Sequence, residues 1–499
     1  MTSTSANAAN TKTHNVKKTF YLTTPIFYPN AKLHLGHAYT MTLADALARY
    51  HRNVGEKTYF LAGSDENTQK MVDAAANEGV EPLVFLDSIV KNFMKLYTSL
   101  DISYDQFIRT TDTQVHWPGA QALWERLAAA GDLYKKEYEG LYCVGHEAFV
   151  TEKDLIEGKC PDHGTEPEQL SEENYFFRLS RYADVLKEKI ESDELRIVPQ
   201  SRKKEILSFI AGGLEDVSFS RPRKSGWPKG LGVPVPGDDS QVMYVWCDAL
   251  ANYITALGFG RDDALYKEFW PADVHIIGKD ILRFHAAIWP AMLLSAGLPL
   301  PKSIFVHGFI TSGGKKMSKT LGNVIDPEEL IEMYGADAVR YFLLRHISPF
   351  EDGDITREGF KDTYTANLTN GLGNLVARVM KLAEEYVSDP VVLTDEDMLI
   401  DKAFSEKVEA FRLNEAMDFI FAKVSEADTF MTERAPYKNI KSDNVDEQEV
   451  ARKDIEHLVR QLANIATHLA PAMPRTAAAI TDAVRANKKP DNLFPRLDK

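Results

Sequence analysis

An apolar, strand-like run that breaks at two prolines and reopens as a helix behind a pair of histidines leaves this chain few architectures. Thr19-Phe20-Tyr21-Leu22-Thr23-Thr24 is β-branched and aromatic, Pro25 and Pro29 mark a turn, and Leu35, Ala38, Thr42, Ala46 and Tyr50 recur at helical spacing. Lys57 to Ala62 reads as a second buried strand, with Gly63-Ser64-Asp65-Glu66 opening the next helix. Strand, crossover helix and strand predict a parallel sheet whose ligands collect beyond its carboxyl edge.

His34 and His37 stand three apart in the first helical turn. Both project from one side of an end where unpaired N–H groups and the macrodipole favour anions. Gly36 leaves room there for a nucleotide close to the backbone. Alone, the pattern equally describes two surface histidines. Far downstream, Ser303 to Ile310 reads as another buried strand, and Thr311 to Thr320 follows as a glycine-hinged cationic loop. A lysine pair on a mobile loop suits pyrophosphate, although a solvated basic turn has the same composition.

Taken together, His34-Leu35-Gly36-His37 and Lys316-Met317-Ser318-Lys319-Thr320 resemble the two signatures of the class I aminoacyl-tRNA synthetases. Thr24-Pro25-Ile26-Phe27-Tyr28, Gly63-Ser64-Asp65-Glu66, Trp246 to Tyr253 and Gly278 to His285 resemble the methionyl-tRNA synthetase family, and the likeness runs from about residue 18 to about residue 440. The resemblance implies activation of L-methionine by ATP with Mg2+, then transfer to tRNA(Met). It puts His34, Gly36, His37, Gly278, Asp280, Lys316 and Lys319 on ATP, with His34, His37, Lys316 and Lys319 as the catalytic groups and Asp280 at the ribose. It puts Asp65 on the α-ammonium of methionine and Ile26, Tyr28, Trp246, Ala249, Tyr253, Ile281 and His285 around the side chain. An ordinary helix N-cap is the competing role for Asp65 and Asp280. The family usually carries histidine where Asn67 stands. A thioether against aromatic faces gains ~0.3–1.5 kcal/mol per contact, with Tyr28 or Tyr253 polar groups in reach of sulfur. Size alone discriminates only ~10 to 200-fold per methylene.

Between Tyr134 and about Pro234 the α/β rhythm stops, which predicts an insertion over 134–235 between sheet halves at 18–133 and 236–325. Within its segment 140–167, Cys143-Val144-Gly145-His146 and Cys160-Pro161-Asp162-His163 have knuckle spacing, so Cys143, His146, Cys160 and His163 are candidate ligands of a structural zinc. Zinc-bearing relatives more often show cysteine where His146 stands, leaving a Cys2His2 variant or a knuckle without metal. The insertion is too short for a separate editing domain, which favours methionine or cysteine as substrate. The enzyme alternative is therefore a cysteine synthetase, which would hold its substrate thiol on zinc in the active site. A silent paralogue that only binds RNA is the alternative of another kind, opposed by both signatures.

Residues 326–360 resemble a linking region, and helical periodicity dominates 361–499. Leu368, Leu372, Leu375, Val379 and Leu382 form an apolar stripe, while Asn374 and Arg378 share another face. Such side chains can read bases of a single-stranded loop. Tyr437, in Ala435-Pro436-Tyr437, stands where the family places tryptophan and can stack on a base. The expected fold is thus α/β: a Rossmann-type parallel-sheet catalytic domain with an inserted zinc-knuckle-like connective subdomain, followed by an all-α helix-bundle anticodon-binding domain. The net charge of −15 opposes indiscriminate nucleic-acid binding and confines RNA to basic clusters such as Arg202-Lys203-Lys204, Arg221 to Lys229 and Lys315 to Lys319. No apolar run approaches the ~20 residues of a membrane span, and three cysteines make no disulfide framework. Residues 1–17 read as a disordered tail rather than a targeting signal. A cytoplasmic monomer is expected.

Overall fold

The structure is a computed structural model that describes residues 18–29, 32–143, 148–150, 152–161, 164–223, 231–317 and 323–497. The tail expected at 1–17 and the basic residues Lys224 to Lys229 lie outside these. At its centre lie six strands, β1 (Thr19–Thr23), β2 (Lys57–Ser64), β3 (Gln106–Arg109), β4 (Arg196–Val198), β5 (Val274–Gly278) and β6 (Ser303–His307). They form one sheet in the order β3-β2-β1-β5-β6-β4, every neighbouring pair parallel. Strand order reverses between β1 and β5, which opens a crevice at the carboxyl edge where such sheets hold ligands.

Side chains alternate between the two faces as the two-residue period requires. Phe20, Leu22, Phe60, Ile276 and Phe305 pack with helix α1 (Leu35–Asn53), whereas Tyr21, Leu61, Ile277, Ile304 and Val306 pack with helix α2 (Val245–Thr255). Both faces are covered, so the strands read as continuous apolar runs.

Several boundaries differ from the sequence-based expectations. β2 continues through Gly63 and Ser64, and the next helix starts only at Gln69, so Asp65 sits in a loop and is not an N-cap. After β3, Asp112 Oδ1 accepts from the N–H groups of Gln114 and Val115, and the next helix spans Trp117–Ala129. The run from Ser303 to Ile310 is two strands, because at Gly308 the chain passes so close to Glu351 that a Cβ would lie 2.2 Å from its carbonyl oxygen.

Within 134–235, the strands Leu133–Cys143 and Glu168–Phe177 form a long antiparallel pair, flanked by Ala148–Val150 and Val217–Ser218. However, β4 and the helix Gln200–Ala211 leave that subdomain, and Ile197 of β4 stands in register with Ile304 of β6. This part of the expected insertion is therefore the edge of the main sheet.

The linking region contains the helices Pro327–Tyr334 and α3 (Ala336–His346), separated by Gly335 at φ +86. Beyond them come α4 (Asn374–Tyr386), α5 (Leu413–Arg434), α6 (Val445–Leu469) and α7 (Pro474–Ala486). Leu368, Leu372, Leu375 and Val379 are buried in the same hydrophobic cluster that α1 enters, so one core runs from the sheet into the bundle.

Candidate functional site

His34 occupies the N-cap of α1. Its Nδ1 accepts from the Gly36 N–H at 3.1 Å, and His37 Nδ1 accepts from the His34 N–H at 3.1 Å, so two imidazoles make the reciprocal bonds of a capping box. With each Nδ1 acting as acceptor, each neutral ring carries its proton on Nε2. Burial and the neighbouring His34 hold the His37 pKa well below the usual histidine value. The rings lie 3.9 Å apart, and Phe27 meets His37 edge-on at 4.4 Å. The His34 ring also accounts for Gly36, since a Cβ there would lie 2.9 Å from His34 Cε1. The His34 ring thus occupies the space a side chain at position 36 would need.

The second signature begins in a hairpin of β7 (Ile310–Ser312) and β8 (Lys315–Lys316). Gly313 and Gly314, at φ +62 and +71, supply the two positive-φ residues of a tight two-residue turn. Asp354 Oδ1 accepts from the Gly314 N–H at 2.8 Å and from Thr311 Oγ1 at 2.7 Å, which braces the turn. The Lys316 backbone ends β8; the Lys316 side chain and Lys319 lie outside the described residues. One strand separates the two signatures on the sheet, and His307 at the end of β6 touches α1. Its Nδ1 faces the Gly308 carbonyl at 2.8 Å and carries the proton, so Nε2 accepts from Thr40 Oγ1 at 2.8 Å. Both signatures therefore rise from one edge.

Beside them, β5 ends at Gly278, where a Cβ would lie 2.7 Å from Asp280 Oδ1. Asp280 and Ile281 fall in a single 3-10 turn, so Gly278 and Asp280 share the crevice edge. Lys279 Nζ sits 2.7 Å from both Asp352 carboxylate oxygens and over the Phe309 ring, tying β5 to the linker.

The expected methionine-pocket residues come together against one face of the sheet. Ile26, Tyr28, Trp246 and Ile281 pack on a cluster that contains Tyr253; Ala249 and His285 are buried. Gly63 permits this, because a Cβ would lie 2.7 Å from Ile26 Cγ2. The Asp65 N–H donates to the Phe27 carbonyl at 3.0 Å, which brings the buried Asp65 beside the Ile26–Tyr28 turn. His285 lies in a π-helical turn, with Nδ1 3.0 Å from the Ile281 carbonyl. That nitrogen donates, so Nε2 accepts from the Tyr253 hydroxyl at 2.6 Å. Burial lowers the His285 pKa to about 4. The Tyr253 proton is thus directed at His285. Trp246 stacks on Phe284 at 3.7 Å. Phe284 was not foreseen, although its place three residues after Ile281 marks the same helical side.

In the bundle, Asn374 is exposed on α4, and Arg378 one turn later pairs with Asp428 of α5 at 3.0 Å. Tyr437 is half-buried in the short helix Pro436–Asn439, with Lys438 Nζ over its ring. Of the candidate zinc ligands, Cys143 and Cys160 are buried, and His146 and His163 lie outside the described residues. The Gly164 N–H donates to the Cys160 carbonyl at 2.7 Å, with Gly164 at φ +68, which is the tight turn a knuckle needs. Among the described residues no three His, Cys, Asp or Glu side chains are grouped to hold an ion.

The family model for tRNA synthetases class I (M) matches residues 20–169 and 154–380. A methionine–tRNA ligase of Caldanaerobacter subterraneus subsp. tengcongensis is 43% identical over 92% of this chain and 73% of that protein, and one of Clostridium acetobutylicum is 42% identical over 97% and 79%. Methionyl-tRNA synthetase of Mycobacterium tuberculosis in complex with methionyl-adenylate superposes with a TM-score of 0.86 at 36% identity, covering 96% of this chain and 99% of the other. With the paired signatures on one sheet edge and this likeness across nearly its whole length, the chain belongs to the methionine–tRNA ligase family of class I tRNA synthetases.

Proposed function

We propose that this chain joins L-methionine to ATP as methionyl-adenylate, releasing diphosphate, and then passes the methionyl group to tRNA(Met), releasing AMP. The observation that carries this reading is the rise of both phosphate-directed segments from one sheet edge beside a cluster of aromatic side chains. The methionine carboxylate attacks the α-phosphorus, so the protein positions two anions and meets the charge that moves to the leaving group. His34 and His37 donate from Nε2; Lys316 and Lys319 hold the diphosphate, with Mg2+ accompanying ATP. Gly36, Gly278 and Asp280 border the nucleotide, and Asp65 pairs with the α-ammonium. Ile26, Tyr28, Trp246, Ala249, Tyr253, Ile281 and His285 enclose the thioether chain. In transfer, the terminal ribose hydroxyl of tRNA attacks the adenylate carbonyl while Asn374, Arg378 and Tyr437 meet the anticodon.

Cys143, His146, Cys160 and His163 would hold a zinc ion that closes the knuckle. Two of these four are buried thiols, and Cys160 opens a tight turn, which suits a structural site. We read the enzyme as a cytoplasmic monomer; among the described residues no helix is long and apolar enough to cross a membrane. ATP–diphosphate exchange run against a panel of amino acids tests the activity. Methionine alone should support exchange without tRNA. Equal exchange with cysteine, or none without tRNA, overturns the reading.

A further inference from the structure

Asn67 and Asp248 are far apart in sequence, fully enclosed, and joined to each other below the pocket. Asp248 is on α2, between Trp246 and Ala249, and its side chain is 0% exposed. Its Oδ1 lies 2.5 Å from His116 Nε2, and its Oδ2 accepts from Asn67 Nδ2 at 2.7 Å. Asn67 Nδ2 also donates to the Thr110 carbonyl at 2.8 Å, and its Oδ1 accepts from the Gly232 N–H at 2.9 Å, so both amide protons and the oxygen are engaged. His116 Nδ1 meets Thr255 Oγ1 at 2.8 Å, back on α2. Next to Asp65, the Glu66 N–H donates to Thr110 Oγ1 at 2.8 Å and Arg109 Nε donates to Glu66 Oε1 at 2.8 Å. The two residues that follow Asp65 are therefore each fastened to the segment from Arg109 to Thr110.

We propose that Asn67, Asp248 and His116 form a positioning relay that sets the Asp65 loop against the pocket helix α2, and so fixes methionine affinity without touching the nucleotide. The proposal rests on the reading of Asp65 as the ammonium partner. What the relay needs is hydrogen bonding, not charge. Asparagine in place of Asp248 can still accept from Asn67 with its oxygen and donate from its amide to His116 Nε2. For that the imidazole moves its proton to Nδ1 and donates to Thr255. Alanine breaks both bonds.

The test is ATP–diphosphate exchange with methionine and ATP titrated separately. A displacement on the order of 1 Å can cost about a hundredfold, so Asn67→Ala and Asp248→Ala should raise the KM for methionine about 10 to 100-fold. The KM for ATP should stay within about threefold, and Asp248→Asn should keep both constants within about threefold. Should Asp248→Ala fail to fold, Asn67→Ala and Asp248→Asn still carry the comparison. The relay is overturned if both KM values rise together, if Asp248→Asn is as impaired as Asp248→Ala, or if Asn67→Ala leaves the methionine KM unchanged. Asp65→Asn serves as the control: an unchanged methionine KM there refutes the ammonium reading, and the relay's own variants are then judged separately.

Discussion

Arg340 of α3 is the residue through which sheet and bundle can be uncoupled. Its guanidinium is 0% exposed and spends its fork on four acceptors: Ala472 O at 2.7 Å, Leu100 O at 3.0 Å, Pro471 O at 3.0 Å and Asp45 Oδ2 at 2.7 Å. Leu100 and Asp45 belong to the sheet's own helices, and Pro471 and Ala472 to the turn between α6 and α7. Replacing Arg340 with methionine keeps roughly the volume and removes every donor. Breaking a buried pair costs ~3–5 kcal/mol. Asp45 keeps Arg49 Nε and the Ser103 N–H, each at 2.7 Å, which draws its share toward the lower end. Three buried carbonyls lose their donor at ~1–3 kcal/mol each when no water replaces it, so with the pair at about 3 kcal/mol we expect a loss of at least about 6 kcal/mol. All six tryptophans lie between Trp117 and Trp289, so their fluorescence follows the α/β part, whereas far-ultraviolet dichroism follows the helices. In urea the two signals should coincide for the parent chain. In Arg340→Met the dichroism should fall first and the curves separate. Coincident curves with a midpoint equivalent to a loss under about 0.5 kcal/mol would refute the coupling. Burial alone would raise the Asp45 pKa, but Arg340, Arg49 and Ser103 outweigh it and hold it below the usual value. That stabilisation is present above the unfolded carboxyl value and is lost as pH falls through the lowered one.

Each phosphate-directed donor should matter to the chemical step: His37→Ala and Lys319→Ala should each lose ~100 to 1000-fold in methionine-dependent exchange, and near-normal rates would remove their roles. Burial lowers both His285 and His307 to about 4. Both stabilise as neutral rings, an effect fully present above pH 6.5 and lost as pH falls toward 4. Each is worth on the order of 3 kcal/mol, so urea midpoints should fall steeply below about pH 6.5, and a flat profile contradicts the assignment. Tyr253→Phe leaves His285 Nε2 without its donor, a loss of ~1–2 kcal/mol that should raise the methionine KM about tenfold; an unchanged KM would detach this pair from the pocket. Metal analysis should find about one zinc per chain, and chelation should open the 133–177 segment to protease while exchange continues. A metal-free chain with the same protease pattern excludes the knuckle site.

How much of this could be read from the sequence depended on how far apart in the chain the interacting residues are. The His34–His37 cap is complete within four residues, so its donor geometry follows from local helix chemistry. β3 and β4 were missed because three or four residues carry no measurable period, and β4 finds its place only by pairing with β6 across some hundred residues of chain. The breaks at Gly308 and Gly335 have the opposite cause: each sits inside an apolar run whose period continues past it, and only the tertiary approach of Glu351, or the positive φ, ends the element. Asp248 illustrates the limit most sharply. An acid inside Val245-Trp246-Cys247-Asp248-Ala249-Leu250 signals a buried partner by its cost alone, yet the partners lie 132 and 181 residues away and no local pattern names them. The groups proposed to face phosphate thus come from short-range geometry that many chains could share. The proposed setting of the Asp65 loop rests on long-range polar contacts, which a single sequence leaves unwritten and which the Asn67 and Asp248 substitutions address directly.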